Sequence, residues 1–175
     1  MLINANKPHL WKADVTQSVY QFNAWFMKFA PVEYRNTRYA TTKYVKNALL
    51  HTQDLTALTP ATLKSHPNVL PTLRMATAPP LARDRLIGLA GVNSSLVQAM
   101  EKDKLPKRIN ATELDRQLGR ICEIISEVLD RDIFAWLDEG RDASDREREQ
   151  ASMIVADRLC GSMADPIIRN AHEKR

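Results

Sequence analysis

The stretch TELDRQLGRICEIISEV, residues 112–128, indicates the fold class more clearly than any other part of the chain. Its apolar residues recur at steps of three and four, which places them on one face of an α-helix. They are Leu114, Leu118, Ile121, Ile125 and Val128. The opening Thr112-Glu113-Leu114-Asp115 resembles a capping box, in which a hydroxyl and an acid satisfy the first amide donors. The stretch therefore predicts a long amphipathic helix with one face in a core.

The sequence that follows predicts a second long helix. It begins after Ser144, and Asp165-Pro166 is expected to kink or interrupt it because proline lacks an amide donor. Between the two helices, the apolar segment 132–137 is expected to pack against both. Residues 167–175 have a helical pattern without a stop signal. This ending indicates that the original polypeptide continues further, and a fraying natural terminus is the alternative.

An aromatic-rich helix is predicted near the start of the chain. It runs from Ala13 to Phe29, and Pro31 is expected to end it. Its apolar side chains at steps of three and four are Val15, Val19, Phe22, Phe26 and Phe29. A stripe with this spacing predicts a place in the core, and stacking on nucleic acid is the alternative for its aromatic members.

Shorter helices are predicted through the middle of the chain. One is capped by Thr41 or Thr42 and turns Val45, Ala48 and Leu49 inward. Others are predicted at 60–64 after the cap Thr59, at 69–75, from Pro80 or Leu81 with Leu81, Leu86 and Leu89 toward the core, and from the cap Ser94 to about Glu101. The whole pattern predicts an all-α fold, an irregular multi-helix bundle.

The polar segment 101–108 is predicted to be a linker between two subdomains. Residues 1–108 would form a basic helical subdomain that is the candidate for DNA contact. Residues 109–175 would form an acidic subdomain of long helices.

Composition excludes several classes of protein. With 44% hydrophobic and 26% charged residues the chain has a globular composition, and its 5 glycines disfavour an all-β sandwich. The start lacks a secretory signal, and no apolar run approaches the roughly 20 residues that span a bilayer, so a cytoplasmic location without membrane contact is expected. Cys122 and Cys160 are expected to be buried apolar residues, and the four scattered histidines form no zinc-binding pattern.

Charge is divided unevenly along the chain. Residues 1–110 contain 15 Lys/Arg against 6 Asp/Glu, a net +9, whereas residues 111–175 contain 10 against 15, a net −5. A basic front part could bind phosphate, or it could dock on the acidic rear part. Arginine forks hold phosphates or read guanine edges, and each candidate could instead be structural or pair with a carboxylate. The candidates for DNA contact are Arg35, Arg38, Lys43, Arg74, Arg83 and Arg85.

The sequence contains no complete active site. Its glycines are isolated, and the acid pairs Asp130/Asp132 and Asp138/Glu139 are expected to be solvated helix ends. Metal-dependent nucleases commonly carry an acid followed two positions later by lysine, which together hold Mg²⁺ and steady developing charge. No Asp or Glu in this chain has a lysine at that position. We therefore assign no catalytic or metal-binding residue from pattern alone.

Several segments resemble the XamI group of type II restriction endonucleases. The most specific is VLPTLRMATAPPLARDRL, residues 69–86. The others are LWKADV at 10–15, WFMKFAP at 25–31, DIFAWL at 132–137 and ADPIIRNA at 164–171, so the resemblance extends over nearly the whole chain. It implies duplex DNA as partner, a short palindrome as target, Mg²⁺ as cofactor of the full-length enzyme and a homodimer as candidate assembly.

The resemblance also implies where catalysis lies. A nuclease core similar to the PD-(D/E)xK α/β class is expected beyond the matched region, because this chain lacks the Pro-Asp and acid-x-Lys elements and its Asp165-Pro166 has the reversed order. Glu173 in the closing helix is a candidate supporting acid. We therefore predict the N-terminal region of such an enzyme, which binds or positions DNA. The alternative is a helical protein–protein interaction or dimerisation module with no nucleic-acid role.

Overall fold

The computed structural model describes residues 6–173, except for the side chains of 162–165, 169, 172 and 173. This part of the chain is helical, and its one β-type contact is an isolated bridge between Thr77 and Leu129. The all-α prediction is therefore confirmed. The helices are α1 (Pro8–His51), α2 (Pro60–Ser65), a 3-10 turn (Pro67–Val69), α3 (Leu70–Met75), α4 (Arg83–Ala90), α5 (Ser94–Met100), α6 (Ala111–Glu127), α7 (Trp136–Glu139) and α8 (Asp145–Glu173).

The two long helices α1 and α8 pack against each other in opposite directions. Lys46 pairs with Glu149, Arg38 pairs with Asp157, and the Cys160 thiol donates to the carbonyl oxygen of Tyr34. Residues later in α8 therefore contact residues earlier in α1. The other helices pack around the C-terminal end of α1 and the N-terminal end of α8. Residues of both subdomains predicted from the sequence share one hydrophobic core there.

The predicted break at Pro31 is wrong, because α1 is a single helix of 44 residues with Pro31 inside it. Proline in a helix removes one amide donor and costs about 3 kcal/mol, but its fixed φ is compatible with helical backbone. Helix α8 contacts α1 just after this position, where the Tyr34 carbonyl oxygen accepts the Cys160 hydrogen bond, and Ala30 just before it is buried. The predicted interruption at Pro166 is also wrong, since α8 extends through it to Glu173.

The core contains most of the side chains that the sequence placed there. Leu118, Ile121 and Ile125 of α6 are fully buried, as predicted, and Phe134 and Trp136 of the 132–137 segment are buried in the same core cluster. Val45, Ala48 and Leu49 of α1 are buried as well. Leu89, predicted to be inward, is 45% exposed, whereas Leu86 of the same helix is fully buried.

The aromatic-rich stripe at the start of the chain does not lie in the core. Val15, Val19, Phe22 and Phe26 are exposed, and only Phe29 is half-buried. The prediction was wrong because the spacing identifies an apolar face without identifying what covers it. In α1 the core cluster begins at Val45, so the first half of the helix lies outside it.

Several predicted helix starts are wrong: Thr41 and Thr42 lie inside α1 and begin no helix, and the N-cap of α5 is Asn93 and not Ser94. Thr59 caps α2 by accepting a hydrogen bond from the Thr62 amide, as predicted. Helix α4 starts at Arg83 and not at Pro80 or Leu81. The Leu81 amide donates to the Arg74 carbonyl oxygen, and the Arg74 side chain donates to the Leu81 carbonyl oxygen. These two bonds hold the loop before Arg83 in an extended conformation. Helix α6 is capped by Asn110, whose Oδ1 lies 2.7 Å from the Glu113 amide, and not by Thr112. None of the described helices combines the length and apolar character needed to cross a membrane.

Both cysteines are buried, as predicted, and we expect neither to react in the native protein. Burial raises the pKa of the Cys122 thiol to about 12, which lowers its reactive thiolate at neutral pH about a thousandfold; Cys160 is fully enclosed between α1 and α8. Titration with a chromogenic disulfide at pH 8 should therefore find almost no free thiol in buffer and two in 6 M guanidinium. A rapid reaction of one equivalent in buffer would contradict this burial.

Candidate nucleic-acid interface

The loop between α3 and α4 is the centre of the candidate interface. It contains the two adjacent prolines of the 69–86 segment and a cis peptide bond between Ala78 and Pro79. Thr77 is fully buried, and its hydroxyl lies 2.8 Å from the carbonyl oxygens of both Arg74 and Pro79. The Ala78 amide donates to Val128, and the Asp130 amide donates to Ala76. The loop is thus bonded to itself and to the segment that follows α6.

Arg158 of α8 holds this loop from the other side. Its Nη1 donates to the carbonyl oxygens of Met75 and Thr77, at 3.1 and 3.2 Å, and its Nη2 donates to Asp130 Oδ2 at 2.8 Å. Asp130 is buried, so the prediction that it is a solvated helix end is wrong, because Arg158 neutralises it there. The sequence showed no signal for this contact, which joins residues 28 and more positions apart.

Arg74 and Arg83 share the carboxylate of Glu101. Arg74 Nη2 lies 2.7 Å from Oε1, and Arg83 Nε lies 2.8 Å from Oε2. The side chains of Arg74 and Glu101 are 12% and 14% exposed, and Arg74 Nη1 also donates to the Leu81 carbonyl oxygen. Arg83 is 47% exposed and has no other described protein partner. Arg74 is therefore held inside the fold, whereas Arg83 presents its terminal nitrogens to solvent.

The six candidate residues fall into two groups. Arg74, Arg83 and Arg85 belong to α3 and α4, and Arg85 is exposed. The other three lie on α1: Arg35 is exposed, Arg38 pairs with Asp157 at 3.2 Å, and the Lys43 ammonium lies 5.3 Å from the centre of the Tyr39 ring. Glu101 joins two members of the first group, and no described contact joins one group to the other.

The segment after Glu101 adds positive charge to the first group. Its basic residues are Lys102, Lys104, Lys107 and Arg108, all of them exposed. Over residues 74–108 there are seven basic and three acidic side chains, a net +4. Arg74 and Glu101 are both mostly buried and pair with each other, so the side chains left at this surface are six basic and two acidic, and the net charge of +4 is the one presented to solvent.

The acids of the rear part are largely neutralised within the protein. Arg116 and Gln117 bind Glu113 and hold the pKa of its carboxyl at about 2, and Arg141 and Ser144 lower the pKa of Glu147. Three ion pairs, Arg38–Asp157, Lys46–Glu149 and Lys64–Asp115, join the rear part to α1 and α2. Arg38, Lys46 and Lys64 of the basic front part therefore dock on the acidic rear part. The surface formed by residues 83–108 keeps its positive charge.

Metal-dependent catalysis has no candidate centre in the described residues. No group of three or more His, Cys, Asp or Glu side chains is placed to hold a metal ion in that part of the chain. The side chains that the structure describes therefore do not fit a Mg²⁺ centre, and we derive no reaction step from them. The side chain of Glu173, the predicted supporting acid, lies outside the described residues.

Comparisons with known proteins agree with the resemblance seen in the sequence. The model of the XamI restriction endonuclease family matches residues 53–175. The type II restriction enzyme SalI of Streptomyces albus G is 50% identical over 174 residues, which cover 99% of this chain and 55% of that enzyme. The chain thus spans about half the length of this relative. No solved structure matches the chain.

Proposed function

The chain belongs to the XamI restriction endonuclease family, and on that premise we propose that it is the N-terminal region of a type II site-specific endonuclease that binds or positions duplex DNA. The catalytic core of that cytoplasmic enzyme, with the ligands of its Mg²⁺ ion, would lie in polypeptide outside these residues. Two observations support this division. The chain spans 55% of the relative's length, and its described residues offer no metal-binding group.

The observation that carries the DNA-binding part of the proposal is the half-exposed guanidinium of Arg83. Glu101 binds its Nε, and no described contact occupies its two terminal nitrogens. Such an arginine loses less side-chain entropy when it binds a phosphate, because part of its conformation is already fixed. Arg85, two positions further on, and the exposed lysines that follow Glu101 add further positive charge. The contacts expected are mainly with phosphates, which set orientation on the duplex.

We expect the chain to bind duplex DNA with a strong salt dependence. If three phosphates are neutralised, the affinity for a 20-base-pair duplex should fall about 40-fold between 50 and 200 mM salt. The double change Arg83→Ala with Arg85→Ala should lower the slope of log affinity against log salt by about two. Fluorescence anisotropy with a labelled duplex measures both quantities.

The matched control is Arg120→Ala, which removes an exposed arginine paired with Glu123 on α6 in the acidic part of the chain. This change should leave the salt slope unaltered. If the chain ignores DNA at every salt concentration, or if Arg120→Ala has the same effect as the double change, the proposed surface is not the one that binds DNA.

A further inference from the structure

The outer half of α1 has an apolar stripe that the described part of the protein leaves largely uncovered. Trp11, Val15, Val19 and Phe26 are 42%, 53%, 51% and 41% exposed. We call these four residues the α1 stripe. Val15, Val19 and Phe26 share one face of the helix, and Ala30, one turn beyond Phe26 on that face, is buried. The α1 stripe is thus the outward continuation of a face that is already used for packing.

The direction of α8 brings its far end to the α1 stripe. Between Glu149 and Cys160 helix α8 advances 11 residues, while its contacts on α1 move back 12 residues, from Lys46 to Tyr34. In the same register the remaining 13 residues of α8 extend about 20 Å further and place residue 173 beside about residue 21 of α1. Any polypeptide that continues from α8 therefore emerges next to Val19.

The size of the α1 stripe favours a covalently attached occupant over a second copy of the chain. From Pro8 to Phe29 the helix is about 32 Å long, and a face about 10 Å wide has a projected area of about 300 Å². A standard interface between separate proteins buries roughly 800 Å² on each partner. A tethered domain needs less area, because its docking is intramolecular and its effective concentration is high.

We infer that the α1 stripe packs, in the complete protein, against the polypeptide that continues after α8. This inference rests on the proposed function, which places the nuclease core in that polypeptide. The relative of Streptomyces albus G has about 45% of its length outside the match, which is enough chain to form such a domain. The α1–α8 pair would then fix the nuclease core relative to the basic 83–108 surface.

The test compares the complete gene product with the chain 1–175 by thiol labelling. Val15→Cys introduces a reactive group in the α1 stripe, and the two native cysteines are buried. In the complete product this thiol should react with maleimide at least about tenfold more slowly than in the chain 1–175. Tyr39→Cys is the matched control, because Tyr39 is exposed on α1 outside the stripe, and it should react equally in both proteins.

Other outcomes overturn the inference in distinguishable ways. Equal rates at position 15 in both proteins mean that the downstream polypeptide does not cover the α1 stripe. Protection that appears only with rising concentration, together with a dimer in sedimentation, assigns the stripe to a second copy. The same complete product is also tested for salt-dependent DNA binding, which addresses the proposed function separately. A reading frame that ends at residue 175 overturns both ideas.

Discussion

Replacing Trp136 by alanine is expected to lower the free energy of unfolding by about 3–5 kcal/mol. Trp136 is 1% exposed, and its ring lies 5.4 Å from that of Phe134 in an edge-on arrangement. Its Nε1 also donates to the carbonyl oxygen of Asp54 at 2.9 Å. The change would remove the indole from the core and leave that carbonyl without its donor. Urea denaturation of the chain, followed by circular dichroism, measures the loss.

Two further variants separate the causes of this effect. Trp136→Phe keeps an aromatic ring but removes the donor to Asp54, and should cost about 1–3 kcal/mol. Trp11→Ala makes the same change in a residue of the exposed α1 stripe, and should alter the stability of the chain by less than about 0.5 kcal/mol. A loss for Trp136→Ala as small as that for Trp11→Ala would mean that the segment 132–137 does not pack as described.

The interaction with Asp54 also explains how α1 ends. Gln53, Asp54 and Leu55 all have positive φ values, of 49°, 55° and 71°, which non-glycine residues rarely adopt. Two contacts hold this turn: Trp136 binds the Asp54 carbonyl, and Arg148 of α8 lies 2.8 Å from the Asp54 carboxylate. The unfavourable backbone is therefore maintained by residues more than 80 positions away in sequence.

The local sequence pattern was sufficient to predict those helices, caps and buried residues that do not depend on contacts with distant parts of the chain. The face of α6 that contains Leu118 and Ile121, the cap at Thr59 and the burial of both cysteines follow from spacing and residue type. Proline was over-interpreted, because a break at Pro31 is the expected result only when nothing packs across it. The burial of Ala30 and the hydrogen bond from Cys160 of α8 to Tyr34 make the difference, and periodicity within α1 does not reveal them.

The candidate interface could be predicted only in part. Charge counting identified the basic front of the chain, and residue type identified Arg83 and Arg85 as candidates. Arg74 is held inside the fold and Arg83 is exposed, and both bind Glu101, which lies 27 positions from Arg74 in sequence. The role of Arg158 depends on three groups that lie on two other segments. Such long-range pairings have no periodic signature, so single-sequence reasoning could not assign them.

Replacing Arg158 by methionine is expected to destabilise the chain by about 3 kcal/mol, close to the effect of a core truncation. Methionine preserves much of the side-chain volume but removes the partner of Asp130, which is 8% exposed. An unpaired carboxylate in that position costs more than the ion pair itself contributes. The carbonyl oxygens of Met75 and Thr77 lose their donor as well. Urea denaturation gives the stability, and Arg120→Met, in an exposed pair on α6, is the control.

A double change distinguishes the charge from the carbonyl contacts. If the unpaired carboxylate dominates, Asp130→Leu combined with Arg158→Met should restore part of the stability that Arg158→Met removes, because no charge is then left buried. If the carbonyl contacts dominate, the double variant should be no more stable than Arg158→Met. A stability change below about 0.5 kcal/mol for Arg158→Met itself would contradict the structure around the α3–α4 loop. In that case Arg158 would not hold the loop that positions Arg74 and Arg83.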